Sequence, residues 1–204
     1  MIHADNLSRP ALRRLLRQKR RALSATGQQL ASRHLTQQLQ AHPLLRRARR
    51  VAAYLASDGE ISPAALLETL KKRHRAIYLP VLKRWPRTRM VFQRVKPDER
   101  LYPNRFGIPE PRPRASRQPP VWTLDLLLLP LVGFDPQGGR LGMGGGFYDR
   151  LLAYRLQRQY LTGPRLLGLA HDCQKVDLLP LEAWDIRLDA TVTDAGWYPA
   201  RLTR

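Results

Sequence analysis

The chain has 204 residues, 43% of them hydrophobic and 25% charged, with a net charge of +20. That length and apolar share suffice for one domain with a full core, read as residues 1–204, and no apolar run approaches the ~20 residues that span a bilayer. A single cysteine, Cys173, excludes an internal disulfide framework and agrees with a cytoplasmic setting; the residue itself reads as packing rather than nucleophile.

Leu12, Leu15, Leu16 and Leu23 recur at near-helical spacing among basic residues and predict a helix over 9–22. This arginine-rich N-terminus lacks the apolar core of a secretion signal; an organellar transit peptide is the alternative reading of Arg13 to Arg21. Ser24 is placed to cap a second helix over 25–41, with Leu30, Leu35 and Leu39 as its apolar points. Arg46 to Arg50 is a solvated charge run leading into a strand at 51–56. Ser62 as cap and Pro63 at the first position open a helix over 63–73. Ala76 to Val81 reads as a strand, and Met90 to Val95 alternates as another. Residues 96–120, rich in Pro and Arg, form a long surface connection. A strand at 125–131, a helix at 147–160 and a strand at 165–170 make a β-loop-α-β unit, with a last short strand at 190–193. Strands alternating with helices give an α/β fold class: a mostly parallel sheet with helices on both faces, Rossmann-like and three-layered. No internal repeat is present.

The segment from Leu126 to Arg150 carries the chemistry. An apolar run, Leu126 to Leu129, is short enough to be a strand buried on both faces, and Pro130 ends its regular ladder. Asp135-Pro136-Gln137-Gly138-Gly139 is a turn by composition. Gly142, Gly144, Gly145 and Gly146 follow, then Phe147-Tyr148-Asp149-Arg150 and a helical pattern. Strand, glycine-rich loop and helix start are the parts of a phosphate cradle, because backbone without Cβ atoms approaches an anion closely and its N–H groups supply positive potential. It is not a P-loop, since no Lys-Ser/Thr follows the glycines, and the dinucleotide fingerprint fails because its last glycine would fall on Phe147. Glycines alone favour a ligand-free turn. Arg140 before them, as a phosphate contact, and Asp149 after them, as a Mg²⁺ carboxylate, tilt the reading toward a nucleotide. Taken singly, Arg140 is equally a solvated loop charge and Asp149 a helix-start carboxylate.

As a whole the segment Arg140-Leu141-Gly142-Met143-Gly144-Gly145-Gly146-Phe147-Tyr148-Asp149 resembles the RLG-x-G-x-GyYD signature of the 5-formyltetrahydrofolate cyclo-ligase (methenyltetrahydrofolate synthetase) family, and Met143, Gly145 and Arg150 are similar to its proteobacterial members. The likeness runs through nearly the whole chain. Arg9, Leu12 and Arg13 resemble the family's N-terminal basic motif, with Arg9 where Lys is more usual. Val51 to Leu55 followed by Asp58-Gly59-Glu60-Ile61 resembles its first strand and substrate-contacting Glu. Met90-Val91-Phe92 and Phe106-Gly107-Ile108-Pro109-Glu110-Pro111 are further landmarks. Leu179-Pro180 through Asp189 resembles the stretch that holds a second metal-linked Asp, here Asp185, with Trp184 where many relatives carry His.

The resemblance implies ATP-dependent, Mg²⁺-dependent closure of 5-formyltetrahydrofolate, with or without a polyglutamate tail, to 5,10-methenyltetrahydrofolate with release of ADP and phosphate. It implies ATP contacts from Arg9, Arg13 and the run Arg140, Leu141, Gly142, Met143, Gly144, Gly145, Gly146, Phe147 and Tyr148. Substrate contacts fall on Arg13, Leu55, Glu60, Met143, Gly144, Gly145, Gly146 and Phe147, metal contacts on Asp149 and Asp185, and catalysis on Arg140 and Tyr148. A cytoplasmic monomer without membrane or nucleic-acid partners is the accompanying expectation. The basic excess lies entirely in residues 1–120 and favours polyanions, so a nucleic-acid-binding protein is the alternative class, and an ATP-using kinase of another carbonyl-like substrate a second. No zinc-finger or aromatic-basic RNA motif supports the nucleic-acid alternative.

Overall fold

Helix α1 (Arg9–Arg21) opens the fold in a computed structural model that describes residues 7–157 and 163–200. Ser8 starts it by accepting the Ala11 N–H on Oγ at 3.4 Å, and Lys19, Arg20 and Arg21 occupy its last turn, where cations complement the helix dipole. Helix α2 (Ala25–Ala41) begins at Ser24, whose Oγ receives the Gly27 N–H at 3.1 Å. A short helix that the periodicity does not announce follows, α3 (Pro43–Arg47), capped by His42 Nδ1 at 3.2 Å from the Leu44 N–H. Arg46 and Arg47 on it are exposed.

Strand β1 (Arg50–Ala52) has three residues, not the six expected over 51–56. After one more ladder bond, Ala53 N–H to Tyr78 O at 3.0 Å, the chain leaves the sheet, and the Tyr54 hydroxyl ties the resulting loop by donating to Ile61 O at 2.6 Å. Helix α4 (Ala64–Lys72) starts one position later than expected, with Pro63 just outside it and Ser62 Oγ accepting the Ala64 N–H at 3.3 Å. Strands β2 (Ala76–Leu82) and β3 (Met90–Arg94) match their sequence pattern. The connection after them is not featureless: it holds a hairpin of β4 (Leu101–Pro103) and β5 (Pro109–Pro111), pinned by Glu110 Oε2 accepting the Leu82 N–H at 3.1 Å.

The remaining elements are β6 (Leu126–Pro130), a two-stranded ribbon of β7 (Gly133–Phe134) and β8 (Arg140–Leu141), α5 (Phe147–Leu152), α6 (Tyr154–Gln157), β9 (Arg165–Leu169), β10 (Ala190–Val192) and β11 (Trp197–Pro199). The single helix expected over 147–160 is broken at Ala153, which turns Tyr154 onto Trp122 with ring centroids 5.7 Å apart; positions 158–160 of that expectation lie outside the described residues. Pro130 does not end the ladder, since it still pairs with Leu169.

Seven strands form one sheet in the order β11-β10-β9-β6-β1-β2-β3, with five parallel strands in the middle and antiparallel β3 and β11 at its edges. Alternation sorts the apolar side chains. Val51, Leu126, Leu128, Leu167 and Leu169 pack under α2, α3 and α4, while Ala52, Leu127, Leu129 and Leu166 pack under Leu152 of α5, Val121 and Leu188. Burial on both faces explains why these strands read as unbroken apolar runs. Helix α1 packs separately, with Leu12 and Leu16 against Val132 and Leu141 beyond the carboxyl end of β6. From β1 the chain proceeds to β2 on one side, and from β6 to β9 on the other. That divergence between neighbouring strands opens a crevice at their carboxyl ends, where open α/β sheets bind ligands.

The turn below this crevice tolerates little change. Gly138 has φ +81°, and a Cβ there would lie 2.7 Å from Leu188 O and 2.8 Å from Ala200 Cβ. Gly138→Ala is therefore expected to cost about 3 kcal/mol and to lower the melting temperature by ~6–12 °C, as thermal unfolding would show. A shift under about 2 °C would refute the packing described.

Candidate active site

Two loops meet at the carboxyl edge of the sheet, and α1 holds both. The first, residues 53–61, leaves β1; the second, residues 142–146, joins β8 to α5. Between β7 and β8 the turn is organised by Asp135, which is buried: Oδ1 accepts the N–H groups of Gln137 and Gly139 at 2.9 Å each, and Oδ2 that of Leu179 at 3.0 Å. Three backbone donors in one carboxylate make this a rigid platform for Arg140.

Arg140 is not a solvated loop charge. It sits on β8 at 4% exposure, its guanidinium hydrogen-bonded to Asp149 Oδ1, and its Nε lacks a partner among the described residues. Burial draws its pKa down against the opposing pull of Asp149. Asp149 Oδ1 also accepts the Ile186 N–H at 3.4 Å, which brings the stretch containing Asp185 to the same place. Asp185 is held by Arg9 through Nη1 at 2.7 Å and Nη2 at 3.2 Å, and by the Glu182 N–H at 2.8 Å. Burial works to raise the Asp185 pKa, yet these bonds bring it below the ordinary value, and the same pairing raises that of Arg9. The result is an alternating cluster of two arginines and two carboxylates drawn from α1, β8, α5 and the 179–189 stretch.

The glycine loop lies beside this cluster. Gly144 at φ +100° and Gly146 at φ +61° hold conformations that side chains disfavour, and Gly146 immediately precedes α5. Arg13 lies over the loop: its Nε donates to Gly142 O at 2.9 Å, and its guanidinium carbon is 3.6 Å from where a Gly144 Cβ would be. Burial and the charge of Arg9 lower the Arg13 pKa. Leu141 is buried in the α1 contact, and Met143 is exposed. Phe147 packs edge-on against Phe106 of the β4–β5 turn, at 6.2 Å between centroids.

Glu60 and Tyr148 are both half-buried and close enough to couple electrostatically. Glu60 Oε2 accepts the Ser57 N–H at 3.1 Å, and burial raises its carboxyl pKa above the usual value. The Tyr148 hydroxyl is pushed up by burial and by the Glu60 charge, against the pull of Arg140, whose guanidinium is 5.8 Å from the Tyr148 ring centre. A hydroxyl shifted in this way stays protonated near neutrality and serves as a donor, not a base. Leu55 packs against the α2–α4 side of the core, and Trp184 is exposed beside Asp185. Of the residues marked by sequence, Arg9, Arg13, Arg140, Asp149 and Asp185 thus converge with the loop, and Glu60 joins Tyr148. Leu55 and Met143 make no polar contact with either group. Cys173 is half-buried with its thiol pKa raised by burial, which suits packing.

Sequence reasoning passed over Arg20 and the carboxylate of Asp58, which lock the first loop to α1. The available signal was an arginine four positions after Leu16, where the helical period calls for an apolar residue, together with the Asp-Gly turn pair.

Against known proteins, residues 5–194 match the model of the 5-formyltetrahydrofolate cyclo-ligase family. The chain is 41% identical over 179 residues to the 5-formyltetrahydrofolate cyclo-ligase of Escherichia coli K12, covering 88% of this chain and 96% of that protein. It is 39% identical over 180 residues to the Haemophilus influenzae protein of the same name, covering 88% and 94%. Among solved structures, Aquifex aeolicus 5,10-methenyltetrahydrofolate synthetase superposes with a TM-score of 0.80 at 29% identity, over 97% of this chain and 95% of that one. A Mycoplasma pneumoniae 5,10-methenyltetrahydrofolate synthetase gives a TM-score of 0.71 at 26% identity, over 92% and 99%. With the signature loop, the parallel sheet and the arginine–carboxylate cluster all present, the chain belongs to the 5-formyltetrahydrofolate cyclo-ligase family.

Proposed function

We propose that this protein closes 5-formyltetrahydrofolate to 5,10-methenyltetrahydrofolate at the expense of ATP. The observation that carries the reading is Arg13 lying over a positive-φ glycine loop next to the pair of buried Arg140 and half-buried Asp149, with Glu60 and Tyr148 nearby. An N-formyl group is a poor electrophile and its oxygen a poor leaving group. Transfer of the γ-phosphoryl to the formyl oxygen answers both problems. The N10 lone pair then attacks the formyl carbon, the carbon–oxygen bond breaks with departure of phosphate, and N10 gives up its proton. Such a transfer asks the protein for alignment and charge neutralisation more than for covalent help. Backbone N–H groups of residues 142–146, Arg13 and Arg140 would hold the triphosphate, with Arg9 nearby. The protonated Tyr148 would donate to the formyl oxygen, and Glu60 would accept hydrogen bonds from the donor edge of the pterin.

The donor set suits Mg²⁺ in the way nucleotide sites use it, with one or two carboxylates and the remaining oxygens from phosphate and water. Asp149 and Asp185 are adjacent, and each keeps free lone pairs beside its arginine. Among the described residues no cluster of three or more His, Cys, Asp or Glu exists, so phosphate oxygens would complete the set. Held there, Mg²⁺ would neutralise phosphate charge. We further read the protein as a one-domain monomer in the cytoplasm, the last in keeping with its single cysteine. No helix among the described residues is long and apolar enough to cross a membrane.

The direct test is the absorbance of methenyltetrahydrofolate formed by purified protein from 5-formyltetrahydrofolate, Mg²⁺ and ATP, against a control lacking ATP. ATP-dependent product is expected; no product from folded, ATP-binding protein would remove the folate reading. Glu60→Gln is expected to raise the KM for 5-formyltetrahydrofolate by about 10–100-fold, the scale of one charged hydrogen bond, while the KM for ATP stays within about twofold. Unchanged folate affinity would count against a pterin contact.

A further inference from the structure

We propose that Arg20 and Asp58 form a positioning pair that sets Glu60 in the folate site. The inference rests on the reading of Glu60 as the pterin contact and adds two residues that touch no reacting atom.

Arg20 continues the buried stripe of α1 after Leu12 and Leu16 and has 0% exposure. Its Nε donates to Asp58 O at 2.9 Å, its Nη2 to Asp58 Oδ2 at 2.8 Å and its Nη1 to Leu131 O at 3.3 Å. One guanidinium therefore joins the helix, the loop after β1 and the chain leaving β6. Arg17 adds a bond to Asp58 Oδ2 at 2.9 Å and Arg21 one to Oδ1 at 2.6 Å. Burial works to raise the Asp58 pKa, but hydrogen bonds from Arg17, Arg21 and Arg20 bring it down to about 2. The carboxylate is thus charged throughout the physiological range.

The local backbone explains what this grip is for. Asp58 has φ +52° and Gly59 φ +77°, so two successive residues take the left-handed conformation. For Asp58 that state is unfavourable without outside support, and Arg20 supplies it by holding both its carbonyl and its carboxylate. The turn closes through Glu60 N–H to Ser57 O at 2.9 Å and Ser57 N–H to Glu60 Oε2 at 3.1 Å, which fixes the Glu60 carboxylate at a place where its charge pushes up the hydroxyl pKa of Tyr54 and Tyr148. An apolar side chain would serve packing at position 20 without the desolvation penalty of a buried cation. What an apolar residue cannot do is hold the turn that aims Glu60.

The test compares Arg20→Met, Asp58→Asn and Glu60→Gln, and adds Arg20→Met within the Glu60→Gln background. Asn accepts the left-handed conformation, so Asp58→Asn keeps the question open to refutation should Arg20→Met fail to fold. Each single variant at 20 or 58 is expected to raise the folate KM about tenfold, with the ATP KM within about twofold, and the Arg20→Met effect should shrink to about twofold or less once Glu60 is already Gln. Equal rises in the ATP and folate KM, or a full additional loss in the Glu60→Gln background, would make Arg20 a general structural staple and overturn the proposal. If Glu60→Gln weakens folate binding and neither Arg20→Met nor Asp58→Asn does, the pair is overturned while the folate reading stands. If Glu60→Gln leaves folate binding unchanged, the pterin contact fails and the positioning role fails with it.

Discussion

Asp149→Ala is expected to lower turnover by at least about 10³-fold and, separately, to cost ~3–5 kcal/mol of stability, because it strips the buried Arg140 guanidinium of its carboxylate partner. The two effects have different origins. The stability loss comes from an uncompensated buried cation. The turnover loss comes from one carboxylate fewer beside the phosphates. Asp149→Asn separates loss of the charge from loss of the side chain, since it keeps the size and one acceptor oxygen; it should lose turnover as fully as the Ala variant but less stability. Turnover measured at increasing Mg²⁺, alongside denaturant unfolding, checks both. Near-normal turnover of the Asn variant at saturating Mg²⁺ would sink the assignment of Asp149.

Arg140→Met is expected to reduce turnover by about 10²–10³-fold, the scale seen when one preorganised donor is removed from a site of developing charge. Its effect on stability should be smaller than that of Asp149→Ala. Methionine fills the buried volume without a charge to solvate, and the Asp149 left behind is only partly buried. The double variant Arg140→Met/Asp149→Leu should then recover stability relative to Asp149→Ala without recovering turnover, as steady-state kinetics and unfolding midpoints together would show. Turnover within about threefold of the parent for Arg140→Met would leave the arginine a structural ion pair, with the loop and Arg13 carrying the phosphate alone.

Much of the molecule was legible from its residues because the controlling forces are local. Ser8, Ser24 and the leucine spacing mark α1 and α2, since a cap and a 3.6-residue period act within a few positions. Leu126 to Leu129 read as a doubly buried strand because a strand covered on both faces needs no polar alternation. Among the candidate site residues, Arg140 and Asp149 stood out as the charged flanks of the glycine loop, whereas Arg9, Arg13 and Asp185 were reached only through the resemblance to a family. Where the reading slipped, a contact distant in sequence decided the outcome. β1 stops at Ala52 as the following loop folds back on Ile61, and the helix after the glycines breaks so that Tyr154 meets Trp122.

The α/β class, the capped N-terminal helices, the glycine loop and the family can all be read from the order of residues alone. It takes the folded chain to reveal that Arg140 is buried rather than solvated, that Arg9 pairs with Asp185 across the fold, and that Arg20 clamps Asp58. The reason is physical. Caps, periods and turns are interactions of neighbours, written in adjacent residues. The charge state and orientation of a buried ion depend on partners as far as 176 positions away, and only the folded sheet brings those together.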